Sequence, residues 1–459
     1  MKKRWSQLAA VAVAVAALFV FFATPPAGAP VAAIHAGALV VLAIGFWAFG
    51  VLPEATTGVL FLLLAIAAGV LPPQVMLAVA GSSALWLLLG GLIIADAVTY
   101  TRLGERIAAL LLYRHAASYL ATLSAVAIVA SLLAFLMPAT IGRILLLVPI
   151  LSAVSAYMGF ARGSAGYNGI QLCGITTTFH SGTAILPANA PNLVLSGAAE
   201  TIYHQHLVYG EYLLVQFPVL GLLKAVVCVS AAWWMFPAQP RVSAKHASPA
   251  PMTAGERRLA LILAGALAFW ITDFLHGIQS GWIALAAGVV CALPRVGVLP
   301  RDALIHRINY GPFIYLGSII ALGGVIMSSG LSVLIGSYVL GALHLEAGDH
   351  AWNFAILSAA STMTGLLTTN PAQPALLAPL AGDFAAAAGW PIKTALMMIA
   401  IGFSTIVLPH MVPPVVVGLQ VAGIGLRATL RFVWPVAAVS FALLLPLDYF
   451  WWRALGYFG

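Results

Sequence analysis

Two polar interruptions decide how this chain is read: Ala139-Thr140-Ile141, followed by Pro149, and Thr369-Asn370-Pro371, followed by Pro379, each set in apolar sequence. They are offset by 230 residues, and a second pair of similar segments, WLLLGGLIIADAVTYTRL from 86 and IYLGSIIALGGVIMSSGL from 314, is offset by 228. Two independent pairs at nearly one spacing indicate an internal duplication. In a membrane protein, duplicated halves with interrupted apolar segments at matching positions point to a transport site near the bilayer midplane.

Composition puts the chain in a membrane. Hydrophobic residues make up 62% and charged residues 7%, against roughly 25% charged in soluble domains. The net charge of +8 comes from Lys and Arg scattered over short loops, with no basic stripe or aromatic platform for nucleic acid. Cys173, Cys228 and Cys291 all lie in apolar runs without metal or redox spacing, so they read as packing residues.

Runs of about 20 apolar residues predict crossings near 7–24, 31–50, 56–71 and 76–98, with Lys2, Lys3 and Arg4 held in the cytoplasm. The basic start, apolar middle and PAGA end of the first run also fit a cleaved signal peptide, which would leave the remaining topology unchanged. Residues 118–158 read as a hairpin entering and leaving from the cytoplasm, with its tip at Met137-Pro138. Further crossings are expected at 169–198, 212–236, 258–276, 280–296, 308–330, 394–425 and 431–452, with a second hairpin at 351–388 entering from outside. The segment 331–350 carries no basic residue and is assigned to the outside. This arrangement places 16 of the 20 Lys and Arg inside and two, Lys393 and Arg453, outside; Arg143 and Lys224 fall within apolar segments. One hairpin then opens inside and its counterpart outside, which is inverted-repeat architecture. Backbone that leaves the helix at membrane depth must be buried in protein or line a cavity, so a polar solute could meet the two tips.

With those motifs in place, the chain resembles, over nearly its whole length, the divalent anion/sodium symporters, a family of sodium-coupled dicarboxylate, citrate and sulfate transporters. Members carry Ser-Asn-Thr at each hairpin tip and a Thr-Pro-Pro-Asn-like turn in a broken helix after each hairpin. Thr369-Asn370-Pro371 and Pro138-Ala139-Thr140-Ile141-Gly142-Arg143 stand at the tips here. Pro187-Ala188-Asn189-Ala190-Pro191-Asn192 and Leu408-Pro409-His410-Met411-Val412-Pro413-Pro414 stand at the breaks. The departures are Thr140 where Asn is usual, Ile141 and Pro371 where Thr is usual, and Val415 where Asn is usual.

The resemblance implies an all-α polytopic transporter of about eleven transmembrane helices and two re-entrant hairpins, working by an elevator-like motion as a homodimer. Scaffold helices of the first repeat would occupy 1–117 and its transport elements 118–236. A cytoplasmic linker would span 237–256, with second-repeat scaffold over 257–350 and second-repeat transport elements over 351–459. The expected setting is a bacterial inner membrane, N-terminus cytoplasmic and C-terminus periplasmic. The expected partners are a small anionic solute and lipid, with Na⁺ as coupling ion and neither nucleic acid nor nucleotide.

Helix N-termini at the tips offer unpaired N–H groups to carboxylate or sulfate oxygens. Thr140, Arg143, Asn189, Thr369, Asn370, Pro371, Val412 and Pro413 are the candidate substrate contacts. Ala139, Thr140, Asn189, Asn192, Thr369 and Asn370 are the candidate Na⁺ ligands. Asn and Thr also cap helix breaks for purely structural reasons, and their recurrence in both halves is what favours a site. Arg143, one turn beyond the first tip, could neutralise part of an anion or could satisfy hairpin carbonyls. His180 and His410 are proton-carrier candidates, and the departures at the tips and the second turn keep proton coupling or exchange open. Asp96, Asp273 and Lys224 are accounted for by pairing or snorkelling.

An intramembrane enzyme would need a nucleophile with its base, or metal ligands. HExxH and GxSxG are missing from the sequence, as is the Walker GxxxxGK[ST] loop of nucleotide-driven pumps. A passive anion channel is a further alternative, disfavoured by paired hairpins that suit an occluded site.

Overall fold

A computed structural model describes residues 2–26, 28–137, 139–241 and 251–459. Pro138, Ala27 of the PAGA stretch and the middle of the predicted linker, with Lys245, lie outside the described residues. Those described form an all-helical protein. Among the described residues, seven helices are long and apolar enough to cross a membrane, including Val31–Phe49, Tyr119–Leu136, Gly311–Ser328 and the long Tyr209–Met235 and Leu426–Ala454; five shorter apolar helices accompany them. Apolar residues such as Phe19, Leu77, Phe274, Val333 and Leu367 stand outward, as expected where the surrounding solvent is lipid.

Each repeat ends in the same sequence of elements. The first hairpin has arms Tyr119–Leu136 and Thr140–Tyr157. It is followed by a broken helix with a leading half Ala165–Thr183, a 3₁₀ turn Leu186–Ala188 and a trailing half Ala190–Tyr203. In the second repeat the descending arm is His350–Leu367 and the broken helix comprises Ile392–Phe403, the turn Pro409–Met411 and Pro413–Ala422. The returning arms differ: Pro149 sits within one continuous helix, whereas Pro379 falls in a 3₁₀ turn that divides Ala372–Leu377 from Ala381–Ala388. A bend of 120° separates this arm from the next leading half.

Several expected boundaries move. The crossing expected at 76–98 is two helices, Pro73–Gly81 and Ser83–Thr101, parted at Ser82, whose backbone is extended. The break holds because Glu200 takes over the freed polar groups, accepting from Ser82 Oγ at 2.8 Å and Ser83 N at 2.7 Å, and from Ser83 Oγ. The segment assigned to the outside at 331–350 contains a helix, Leu331–Leu343, entered through Gly330 at φ +79°. The basic stretch after Arg102 is likewise helical, Leu103–His115.

Polar contacts join segments predicted to share a side. On the predicted inner side, Arg106 pairs with Glu256 at 2.6 Å and Arg307 with Asp96 at 2.8 Å. There too Arg162 Nη2 donates to the Val421 carbonyl at 2.9 Å. On the opposite side Lys393 pairs with Glu211 at 2.5 Å, and Asp273 accepts from Tyr209 N at 2.7 Å. The repeats also grip each other between Ser83–Thr101 and Ser280–Ala292, where glycine brings backbones together. A Cβ on Gly281 would lie 2.0 Å from the Ser83 carbonyl oxygen, and one on Gly90 would lie 2.3 Å from the Ala284 carbonyl carbon.

Candidate transport site

The first hairpin turns through extended backbone at Met137 and Ala139, and Thr140 begins the return arm. A helix start leaves backbone N–H groups unpaired and carries partial positive charge. Thr140 Oγ1 faces the first break, 3.2 Å from both the Ala188 carbonyl oxygen and Asn189 Oδ1. Arg143, one turn on, is 0% exposed. Its Nη1 donates to the Met137 carbonyl, and its Nη2 donates to the Ala188 carbonyl at 2.9 Å, with Thr140 Oγ1 at 3.2 Å and the Thr178 carbonyl at 3.4 Å. Nε has no partner. The guanidinium therefore sits among the oxygen acceptors that a small cation would otherwise find at the junction of tip and break. Gly182 leaves room for it, since a Cβ there would come within 2.5 Å of Nη2.

Asn192 bridges the same break, its Nδ2 donating to the carbonyls of Gly182 at 3.0 Å and Ile185 at 2.9 Å. Asn192 Oδ1 and Asn189 Nδ2 are buried without partners. A buried amide atom left unpaired costs roughly 1–3 kcal/mol, so one free acceptor and one free donor at this break suit incoming ligands of opposite sign.

At the second tip Thr369 closes the turn, its carbonyl accepting from Ala372 N at 3.0 Å and Gln373 N at 3.1 Å. Asn370 spans tip and break: its backbone N donates to the Met411 carbonyl at 3.0 Å and its Nδ2 to the Phe403 carbonyl at 2.8 Å. Asn370 Oδ1 is buried and unpaired. Pro371 has helical φ and supplies no N–H. Val412 stands where Asn189 stands in the first break, and Pro413 opens the trailing half, so this break offers backbone carbonyls in place of side-chain amides. The sites adjoin, for the first return arm and the first leading half both pack on the second trailing half, with Gly418 against Ile144 of the one and Ile175 of the other.

The two histidines separate. His410 is exposed and its Nε2 lies 3.0 Å from the Leu366 carbonyl oxygen, on the second hairpin. His180 is buried in the first leading half, and its Nδ1 lies 2.9 Å from the carbonyl oxygen of Ser404, at the end of the second leading half. Lys224, read from sequence as paired or snorkelling, does neither. It is 0% exposed and its Nζ donates to the same Ser404 carbonyl at 3.1 Å, to Ser404 Oγ at 3.2 Å and to Thr405 Oγ1 at 2.8 Å. Its position in the middle of the 27-residue span Tyr209–Met235 was the signal available in the sequence. Asp96 is paired with Arg307 as expected. Gln373 is a further site neighbour without a motif, its Nε2 donating to Ser361 Oγ and, at 3.2 Å, to the Ile399 carbonyl.

Comparison with known proteins bears on the fold and the family. The chain is 27% identical over 483 residues to a protein of Cupriavidus necator described as a membrane protein, covering 97% of this chain and 92% of that one. Its fold is similar to that of the YdaH transporter of Alcanivorax borkumensis, with a TM-score of 0.56 at 17% identity over 87% of this chain and 90% of that chain. The model of the sodium:sulfate symporter transmembrane region matches residues 1–458. The chain thus belongs to the family of the sodium:sulfate symporter transmembrane region, a family of membrane transporters and not of enzymes.

Proposed function

We propose that this protein is a secondary active transporter of small divalent or polyvalent anions, sulfate or a di- or tricarboxylate. It would act as a homodimer in a bacterial inner membrane, N-terminus cytoplasmic and C-terminus periplasmic. The observation that carries the reading is the set of buried, unpaired amide atoms at the crossing of tips and breaks: Asn189 Nδ2, Asn192 Oδ1 and Asn370 Oδ1. The free N–H of Asn189 and the N-terminus at Thr140 suit an anion, and the two free amide oxygens suit Na⁺. In this reading Thr140, Arg143, Asn189, Thr369, Asn370, Pro371, Val412 and Pro413 surround the anion, and Ala139, Thr140, Asn189, Asn192, Thr369 and Asn370 supply Na⁺ ligands. The transport elements over 118–236 and 351–459 move against scaffold over 1–117 and 257–350, in the manner of an elevator.

The test is the melting temperature of the purified protein against sulfate, succinate and citrate, each in Na⁺ and in choline. Selective binding to the folded state raises it. Stabilisation by one anion in Na⁺ alone supports symport; no stabilisation by any of them counts against anion transport. Cysteine pairs between scaffold and transport elements that crosslink under one gradient only would support the elevator, and unimpaired transport with the two locked together would exclude it.

A second reading, proton coupling or anion exchange, is favoured by the two side-chain cations already lodged at the breaks, Arg143 and Lys224. In that case stabilisation by the anion would be the same in choline, with His180 and His410 the next residues to vary.

A further inference from the structure

The last long helix of each repeat is interrupted at a matching place by a π-helical segment, Phe217–Leu223 in the first and Ser440–Leu444 in the second. Wide turns of this kind concentrate at functional sites, and here the two are in contact. Each is followed by a fully buried charged residue, and the two are of opposite sign. Lys224 follows the first directly and Asp448 lies one turn beyond the second, both 0% exposed. The helix that carries Asp448 also packs on the first π segment, which brings the two charges within reach of each other without a direct ion pair. The indole N–H of Trp452, one turn on, is the polar group beside the Asp448 carboxyl, but neither carboxyl oxygen makes a hydrogen bond of good geometry.

An isolated carboxylate in that setting costs several kcal/mol, so Asp448 needs either a proton or the ammonium of Lys224. Lys224 for its part is bound to the second break through Ser404 and Thr405. The other titratable groups facing Lys224 are His180 on the first leading half, which shares the Ser404 carbonyl, and Cys228 on its own helix. The hairpin arm Tyr119–Leu136, also packed on this helix, contains no Asp, Glu, His, Lys or Arg. The arginines of Leu426–Val439 stand in its first half, Arg431 over the ring of Phe236.

We propose that Lys224 and Asp448, one from each repeat, form the proton-coupling site of the transporter. A proton taken from water on one side forms the O–H bond of Asp448 and leaves Lys224 as the site's net positive charge, which a bound anion offsets. On the other side that O–H bond breaks, the proton returns to water, and the neutral Lys224–Asp448 couple re-forms. Because Lys224 also holds Ser404 and Thr405, the charge of the couple reaches the second break directly. This rests on the anion-transport reading and favours its proton-coupled form.

The experiment uses full-length protein in proteoliposomes with radiolabelled sulfate, succinate and citrate. Net accumulation driven by a pH gradient is compared with self-exchange at equal pH. Wild type is expected to accumulate one of these anions under a pH gradient without Na⁺. Lys224→Met and Asp448→Asn are both expected to lose that accumulation, and Asp448→Asn, which leaves the ammonium at the second break in place, is expected to retain self-exchange, which a merely structural role would not separate. The double variant, which leaves no buried charge unpaired, covers the case in which a single variant fails to fold, and should likewise lose accumulation driven by pH. Accumulation retained in the variants, or driven in wild type by Na⁺ alone with no response to pH, would overturn the inference and leave anion transport standing. Failure of wild type to move any of the three anions under either gradient would overturn both.

Discussion

Arg143 and Ala188 are joined by a hydrogen bond of 2.9 Å from Nη2 to the carbonyl oxygen, which ties the tip of the first hairpin to the break of the helix that follows it. The same guanidinium reaches back to the Met137 carbonyl, so one planar cation spans both sides of the junction. Arg143→Gln should lower stability by about 2 kcal/mol, since hydrogen bonds from a charged donor are lost and buried carbonyls are left unsatisfied. Arg143→Lys should rescue little of it, because an ammonium cannot span the two acceptors. Thermal unfolding in detergent reads the first effect. The apparent affinity for a stabilising anion, unchanged in Arg143→Gln, would rule out a direct substrate role.

Glu200, at the end of the first trailing half, caps the start of Ser83–Thr101 through the Ser83 backbone N–H and both serine hydroxyls. A carboxylate at a helix N-terminus contributes up to about 2 kcal/mol. In an elevator this contact joins a moving element to the scaffold. Glu200→Ala is expected to lower the melting temperature and to shift crosslinking between Ser83–Thr101 and Ala190–Tyr203 away from the present register. Crosslinking identical to wild type would mean that the contact does not hold the two elements in register.

The Ser83–Thr101 and Ser280–Ala292 pair leaves no room for a methyl group at its closest point. Gly281→Ala should cost about 1–3 kcal/mol, as overpacking does, because the obstructing atom is the backbone oxygen of Ser83. Gly265, with nothing within 4 Å of its Cβ position, is the control: Gly265→Ala should be neutral or gain about 1 kcal/mol from helix propensity. Melting temperatures of the two variants check the contrast.

Glu256 closes a capping box with Thr253 and accepts from Arg106, whose hydrogen bond holds its carboxyl below the ordinary value of 4.5. A group with a depressed folded pKa stabilises the protein above its unfolded pKa and loses that contribution as pH falls through the folded one. Wild type should therefore be more stable than Glu256→Gln at neutral pH. The difference should persist down to about the unfolded carboxylate value near 4.3 and shrink below it. A difference independent of pH would mean that shape, and not charge, carries the contact.

Much of this architecture is legible in sequence because lipid leaves the backbone few options. A run of apolar residues such as Val31–Phe49 must be helical to satisfy its own polar groups. For the same reason, proline and Asn or Thr inside such a run mark the places where helices break. The hairpins at 137–140 and 368–371 and the breaks at 186–189 and 409–412 were visible on that ground, and the 230-residue offset of the tip motifs related the two halves. The break at Ser82 was not, since the group that stabilises it, Glu200, lies more than a hundred residues away. Leu331–Leu343 was missed because an absence of basic residues assigns a side of the membrane but says nothing about local conformation.

What sequence alone determined is therefore the membrane class, the duplication and the residues at which polar backbone would be freed, all of which follow from local composition and spacing. What tertiary structure decided is which partner each freed group finds. Arg143 meets carbonyls at 137, 178 and 188, Lys224 meets Ser404 and Thr405, and Asp448 is buried on a helix that packs against the segment just before Lys224. The reason is physical: hydrogen bonds within a helix span four residues and leave a periodic trace in the chain, while contacts between helices some 180 residues apart depend on how whole elements pack.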